Sequence, residues 1–104
     1  MTRFRLSPEA ENDLADIRRY LTRHGGAEGA RYVLREIRQA LRLIADQPGI
    51  GHRRDDLTDE PVKFWPVFSY LIVYDPAMRP LGVARILHGY QDLETIFRKL
   101  PPRA

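Results

Sequence analysis

Two amphipathic segments between Ser7 and Pro48 constrain the fold of this chain more than any other feature. In the first segment, apolar residues recur at spacings of three and four, as they do along one face of an α-helix. They are Ala10, Leu14, Ile17 and Leu21. The second segment carries a wider apolar stripe made of Ala30, Val33, Leu34, Ile37, Leu41 and Ile44. The chain therefore needs a second layer against which both apolar faces are buried.

The ends of both segments carry helix signals. Ser7 followed by Pro8 is typical of a helix start, with serine as the N-cap and proline in the first turn. Residues 24–26, His-Gly-Gly, predict the end of the first helix, because glycine readily adopts the left-handed cap conformation. Residues 48–49, Pro-Gly, predict the end of the second helix. So short a connection between two helices predicts an antiparallel helical hairpin.

The second layer is predicted from the second half of the chain, which is rich in β-branched and aromatic residues. Residues 62–67, 70–74 and 81–87 have the patterns of strands, and the connections between them are short enough for hairpins. Residues 70–74 are apolar on both faces, which predicts an interior strand. Pro66 predicts that its own strand lies at an edge or is bulged. Residues 2–6 alternate between polar and apolar side chains, which predicts an N-terminal strand.

The predicted fold class is α+β. We expect an N-terminal strand and an antiparallel helical hairpin packed on an antiparallel sheet, in the order β-α-α-β-β-β, with a short C-terminal helix over residues 92–100. At 104 residues the chain is predicted to form a single domain, residues 1–104. The absence of cysteine excludes disulfides and thiolate zinc sites. The apolar runs are too short to cross a bilayer, and we expect a cytoplasmic protein.

The positive charge of the chain is unevenly distributed. There are 17 Lys and Arg against 14 Asp and Glu, which gives a net charge of +3, and the excess lies in the first half. Four arginines of the second helix follow one another at spacings of four, three and four, so they project from one side of the helix, away from its apolar face. They are Arg31, Arg35, Arg38 and Arg42. This stripe is interpreted either as a solvated helix face or as a contact for an acidic partner or a phosphate backbone.

The segment 51–60 is dense in charges of both signs. Its charges either pair within the loop, or Arg53 and Arg54 bind a target. Metal binding by His52 with nearby aspartates is disfavoured, because the neighbouring arginines repel a cation, and no metal or other cofactor is expected. In the strand that follows, Lys63 and Trp65 are predicted to lie on the same side, where the aromatic ring is a core or an interface residue.

Arg85, His88 and Tyr90 lie close together near the end of the last predicted strand. A histidine beside a tyrosine and an arginine can supply acid-base and phosphate-stabilising groups for RNA cleavage. A lone histidine beside glycine is, however, more often a hydrogen-bonded structural residue. A serine triad, a phosphate-binding glycine loop and a zinc motif are all missing from the sequence.

Several motifs, in order along nearly the whole chain, resemble the ParE toxins of the RelE/ParE superfamily. The matching segments are 6–10 (Leu-Ser-Pro-Glu-Ala) with Asp13, Leu14 and Ile17, 48–51 (Pro-Gly-Ile-Gly), 64–67 (Phe-Trp-Pro-Val), 70–74 (Tyr-Leu-Ile-Val-Tyr), and 85–89 (Arg-Ile-Leu-His-Gly) with Asp92 and Leu93. The resemblance implies a small cytoplasmic type II toxin, held inactive by a ParD-like antitoxin whose C-terminal segment wraps it. It also implies DNA gyrase as the target, and contact with DNA only indirectly, through the antitoxin complex.

The RelE-like members of the superfamily are ribosome-dependent mRNA endoribonucleases, and this chain departs from them. They resemble one another in an arginine just after the tyrosine of the central strand, where this chain has Leu71 after Tyr70, and in a basic C-terminal end, where it has Gln91. Many ParE members also have arginine at the position of Gln91. Because the collinear motifs are those of ParE toxins and the nuclease set lacks the strand arginine, we expect a gyrase-binding protein rather than an enzyme, with mRNA cleavage as the alternative.

The resemblance and the charge pattern together indicate the candidate site residues. The target-binding candidates are Arg53, Arg54, Lys63, Trp65, Arg85 and His88. The antitoxin-binding candidates are Arg31, Arg35, Arg38 and Arg42. The catalytic set of the alternative, the nuclease, is His88, Tyr90 and Arg85. No membrane partner is expected.

Overall fold

The computed structural model describes residues 3–89 together with residues 93 and 96. Its elements are β1 (Phe4–Leu6), α1 (Pro8–Asp46), a short 3₁₀ turn (Pro48–Ile50), β2 (Lys63–Val67), β3 (Tyr70–Asp75) and β4 (Leu81–His88). The predicted α+β class is confirmed, with one long helix and a four-stranded sheet. Within the described residues, no helix combines the length and the apolar character that crossing a bilayer requires.

The helix α1 begins as the sequence predicts and bends in the middle. The Ser7 side chain accepts a hydrogen bond of 3.0 Å from the Ala10 backbone N–H, which caps the N-terminus. Gly26 interrupts the helical geometry with φ 79° and ψ 170°, a conformation that glycine adopts without a steric penalty. A straight helix of 39 residues would be about 58 Å long, whereas the longest dimension of the molecule is 40 Å. The helix therefore changes direction at Gly26.

The predicted hairpin of two separate helices is not confirmed. Only Gly26 departs from helical φ and ψ, so the two helical stretches join directly at this residue instead of through a connecting loop. The physical reason is that one residue with a positive φ is enough to redirect the chain, so no loop is needed. The end of the helix is close to the predicted position, because the C-cap is Gln47 and the 3₁₀ turn starts at Pro48.

The sheet has the strand order β1-β4-β3-β2 and is mixed, so the prediction of a purely antiparallel sheet is wrong. β1 runs parallel to β4, with Phe4 opposite Leu81, whereas the other neighbours are antiparallel. The reason is that α1 carries the chain across one face from β1 at one edge to β2 at the other, and such a crossover allows parallel strands. Two strand predictions are confirmed: β3 is interior, and β2, which contains Pro66, is an edge strand.

Both faces of the sheet are covered. The main core lies between the sheet and α1, and its largest fully buried members are Ile37, Leu41, Ile44, Ile72, Tyr74, Leu81 and Ile86. A smaller cluster on the opposite face consists of Val62, Phe64, Val73 and Leu87, with Leu93 and Ile96 packed against it. Of the predicted C-terminal helix over residues 92–100, only these last two residues are described, and the rest lies outside the described residues.

The buried phenol of Tyr74 fixes the turn that follows α1. Its hydroxyl donates a hydrogen bond of 2.7 Å to the Pro48 carbonyl and accepts one of 3.0 Å from the Gly51 N–H. Burial raises the pKa of Tyr74 above its ordinary value, so the phenol keeps the proton that it donates. The interior strand β3 therefore holds the end of the helical layer in place.

Gly51→Ala is expected to lower the free energy of unfolding by roughly 1–3 kcal/mol. A Cβ at this position would collide with the Tyr74 ring, whose Cε1 would lie 2.9 Å away, and with its hydroxyl. Gly49→Ala is the matched control, because no atom lies within 4 Å of a Cβ there. Urea denaturation of the three proteins tests this prediction. Equal midpoints for the two variants would contradict it.

Candidate functional site

The four arginines predicted to form a stripe do lie on one exposed surface of α1. The bend at Gly26 brings Arg18, from the first part of the helix, to the same surface. Together they line an open groove of about 780 Å³, which we call the arginine groove. Its lining residues are Arg18, Glu28, Arg31, Leu34, Arg35, Arg38 and Arg42. Sequence reasoning missed Arg18, because only the direction of the bend places it beside the stripe.

The charge of the arginine groove is not neutralised within the described part of the chain. Five arginines and one glutamate line it, which gives 5 − 1 = +4. Among the described residues, none of these five arginines forms an ion pair, whereas five other arginines do. Those five are Arg3, Arg19, Arg53, Arg54 and Arg85. Guanidinium groups grouped in this way bind carboxylates or phosphates well, so the groove suits an anionic partner.

Arg85 is engaged in a contact between α1 and β4. Its Nε and Nη2 atoms donate hydrogen bonds of 2.8 and 3.0 Å to the Asp13 carboxylate, which also accepts one of 2.9 Å from the Ile86 N–H. Both side chains are largely buried, with 19% of Arg85 and 12% of Asp13 exposed. The hydrogen bond with Asp13 is the main cause that raises the pKa of Arg85. Asp13 thus occupies two of the three guanidinium nitrogens, and a phosphate that approached the same side of Arg85 would have to displace it.

His88 lies at the end of β4 beside two residues of the β2–β3 turn region. Its ring meets the Tyr70 ring edge to face, with 5.1 Å between the centroids, and its Nε2 is 3.5 Å from the Ser69 hydroxyl. Burial raises the pKa of Tyr70, which disfavours the phenolate at neutral pH. Tyr90, the third residue of the nuclease set, lies outside the described residues.

The start of the charged loop is attached to the edge of the sheet. His52 and Phe64 exchange two backbone hydrogen bonds of 2.9 and 2.7 Å, and the His52 ring stacks near the Trp65 ring, with 6.2 Å between the centroids and 10° between the planes. Trp65 is partly buried against the main core. The described residues contain no group of three histidine, cysteine or acidic side chains that is able to hold a metal ion.

The arginines of this loop pair with aspartates two residues further on. Arg53 contacts Asp55 at 3.1 Å, and Arg54 forms a two-pronged contact with Asp56 at 3.0 and 2.9 Å. The hydrogen bond between Arg54 and Asp56 is the main cause that raises the pKa of the former and lowers that of the latter. These pairs are largely exposed, so we attribute little stability to them.

The target-binding candidates fall into two separate regions. His88 is opposite Tyr70 in the sheet, whereas Lys63 is opposite Tyr74, so these candidates lie at opposite ends of β3. Trp65 belongs to β2 with Lys63, and the loop arginines follow His52, which pairs with Phe64 of that strand. Arg85 belongs to β4 with His88. The structure therefore brings together four of the six candidates at one edge and the other two beside α1.

Comparison with known proteins connects this architecture to a family. Residues 4–93 match the family model of the ParE toxin of the type II toxin–antitoxin system parDE. Toxin ParE1 of Caulobacter vibrioides is 31% identical over 88 residues, which cover 85% of this chain and 90% of that relative. A chain from the chromosomal ParDE toxin–antitoxin system of P. aeruginosa has the same fold, with a TM-score of 0.68 and 16% identity over 82% of this chain and 92% of that one. The match thus runs from β1 to the described residues beyond β4, and the chain belongs to the ParE toxin family of type II toxin–antitoxin systems.

Proposed function

We propose that a ParD-like antitoxin neutralises this toxin by binding at the arginine groove, and that the toxin inhibits bacterial growth by binding DNA gyrase. The observation that carries the first part is the unneutralised charge of the groove, five arginines against one glutamate. A solvated helix face gains nothing from clustered like charges, which repel one another. An acidic segment of an antitoxin removes this repulsion and forms charge-assisted hydrogen bonds with the guanidinium groups.

Co-expression with the antitoxin encoded beside the toxin gene tests the first part. We expect the two proteins to copurify and the toxin to arrest growth only when it is expressed alone. A chain that retains the antitoxin but does not arrest growth when expressed alone would be a plain interaction module, which contradicts the proposed toxicity. Failure to copurify would contradict the antitoxin part of the proposal.

The second part, gyrase binding rather than mRNA cleavage, is supported by the surroundings of Arg85 and Tyr70. The guanidinium of Arg85 is held by Asp13 on two of its nitrogens, which makes it a poor partner for a scissile phosphate. Leu71 follows Tyr70, where RelE-like nucleases resemble one another in an arginine. Cleavage by such an enzyme needs positive groups aimed at the transition-state charge. The β2 edge, with Lys63 and Trp65, offers instead an aromatic and a cation of the kind enriched in protein interfaces.

A supercoiling assay with purified DNA gyrase is expected to show inhibition by the toxin and accumulation of cleaved DNA. Lys63→Glu is expected to weaken inhibition roughly tenfold, because it reverses a charge at the proposed interface. Arg5→Glu is the matched control, since Arg5 is exposed and lies on β1 at the opposite edge of the sheet. If the toxin leaves gyrase unaffected but cleaves mRNA in a translation extract, and His88→Ala abolishes the cleavage, the gyrase proposal is wrong.

A further inference from the structure

Two exposed aromatic side chains lie beside the arginine stripe of α1. Tyr32 and Phe68 are 52% and 58% exposed, and their ring centroids are 6.0 Å apart with 45° between the planes. We call these two residues the aromatic pair. Tyr32 follows Arg31 directly and lies three residues before Arg35, so the side chains of Tyr32 and Arg35 are neighbours on the helix surface. The aromatic pair therefore borders the exposed face from which the arginines project.

Phe68 occupies a backbone position that ordinarily favours glycine. Because Val67 pairs with Tyr70, Phe68 and Ser69 form the two-residue turn between β2 and β3. The φ of Phe68 is 55°, in the left-handed region, where a bulky side chain is strained and glycine or asparagine is preferred. More than half of the Phe68 surface is exposed, so burial within the toxin offsets this strain only in part. A strained and exposed aromatic residue favours a role in binding rather than in folding.

The arginines of the stripe form a track that suits phosphate groups. At a rise of 1.5 Å per residue, the stripe from Arg31 to Arg42 extends over about 16 Å of the helix surface. Its four side chains are exposed, and within the described part of the chain they form no ion pairs. Guanidinium groups donate paired hydrogen bonds to phosphate oxygens. The stripe can therefore contact several successive phosphates of one strand.

A row of cations beside exposed aromatic rings is typical of surfaces that bind single-stranded nucleic acids. In such surfaces the cations follow the phosphate backbone, and unpaired bases stack on the aromatic rings. The bases of a duplex are already stacked on one another, so a duplex can use the arginines but not the aromatic pair. The two features together thus favour a single strand over a duplex.

We propose that the toxin, when free of antitoxin, binds single-stranded DNA, with phosphates along the four arginines of the stripe and a base stacked on the aromatic pair. The choice of DNA rather than RNA rests on the proposed function, because a toxin that binds gyrase meets the DNA that gyrase holds. The contact is direct, in contrast to the indirect contact that the family resemblance implies. The antitoxin is assigned to the same arginines, so its binding excludes the strand.

Phe68→Gly tests the role of the aromatic pair. Glycine adopts the positive φ of this turn without strain, so the urea midpoint of this variant should equal or exceed that of wild type. With a fluorescein-labelled oligothymidylate of about 12 nucleotides as the probe, fluorescence anisotropy at low salt is expected to show a roughly tenfold rise in Kd, because a stacking platform is lost. Tyr20→Ala is the control, since Tyr20 is 55% exposed but packs against His24. It should leave Kd nearly unchanged.

Arg38→Gln tests the phosphate track. Each phosphate contact on a single strand contributes about 0.7 to the slope of log K against log salt concentration, so this variant should make the slope shallower by about that amount. Arg5→Gln changes the net charge equally but removes an exposed arginine of β1, and it should leave the slope as in wild type. Equal slopes for the two variants would overturn the assignment of the arginines.

The remaining outcomes distinguish a DNA strand from other partners. Equal Kd values for Phe68→Gly and wild type, or equal binding of a duplex of the same length, would show attraction between charges alone and overturn the inference. Tighter binding of an oligouridylate than of the oligothymidylate would overturn the choice of DNA. A toxin that binds the antitoxin and inhibits gyrase but binds no oligonucleotide would refute this inference and leave the proposed function intact. Binding of the oligothymidylate without any effect on gyrase would instead refute the proposed target.

Discussion

Asp13→Ala is expected to lower the free energy of unfolding by about 3–5 kcal/mol, because removing one partner of a buried ion pair leaves the other charge uncompensated. The carboxylate accepts two hydrogen bonds from Arg85 and one from the Ile86 N–H, and only 12% of its surface is exposed. The variant thus leaves both the Arg85 guanidinium and the Ile86 N–H without their hydrogen-bond acceptor. Native domains are stable by roughly 5–15 kcal/mol, so the loss is a large fraction of the total.

Asp16→Ala provides the control for this prediction. Asp16 lies one helical turn further on and also pairs with an arginine, Arg19, but 68% of its side chain is exposed. Exposed pairs contribute about 0–1 kcal/mol, so this variant should unfold almost as the wild type does in urea. The double variant Asp13→Ala with Arg85→Leu should recover part of the loss, because no charge remains buried alone. If the two single variants unfold at the same midpoint, Asp13 does not have the structural role assigned to it.

The contact between Asp13 and Arg85 is a feature that the sequence did not predict. Asp13 and Arg85 are 72 residues apart, and both belong to the motifs that resemble ParE toxins, yet nothing in their local patterns indicates that they touch. Short sequence patterns correctly predicted three features: the Ser7 cap, the edge position of the strand that contains Pro66, and the interior position of β3. Each of these depends on a few neighbouring residues.

Features that depend on the direction of an element were not predicted. The parallel pairing of β1 with β4 follows from the path of α1 across the sheet, which residue patterns do not encode. The change of direction at Gly26 likewise decides that Arg18 joins the arginine groove. The glycine pair correctly indicated an interruption of the helix. The positive φ of Gly26 alone determines that the interruption is a change of direction and not a loop.

In the candidate site, too, the sequence predicted what depends on neighbouring residues and not what depends on the tertiary fold. The periodicity of one helix was sufficient to predict that four arginines share a surface, because spacings of three and four place residues on one side. Their lack of ion pairs within the described residues was not predictable, since it depends on which carboxylates the fold brings near. Asp46, for example, is on the same helix but pairs with Arg3 in the segment before β1.

The largest expected effect on antitoxin binding follows from this unpaired charge. Replacing both Arg35 and Arg38 by glutamate changes the lining of the arginine groove from five arginines and one glutamate to three of each, that is, from +4 to 0. Electrostatic steering raises association rates by factors of 10 to 10³ and is screened by salt. We therefore expect the association rate constant with the antitoxin to fall roughly 10- to 100-fold at low salt, and the difference from wild type to shrink as the salt concentration rises.

The control for this variant must change the net charge of the toxin equally while leaving the groove intact. Arg5→Glu combined with Arg53→Glu does so, because both side chains are exposed and neither lines the arginine groove. If steering came from net charge alone, the two double variants would associate equally slowly, and the groove would have no special role. Stopped-flow or surface-based kinetics over a series of salt concentrations distinguishes steering by net charge from steering by the arginine groove. If the groove steers the antitoxin, the control keeps this attraction and its association rate falls steeply with salt, whereas the groove variant has lost it and shows a weaker salt dependence.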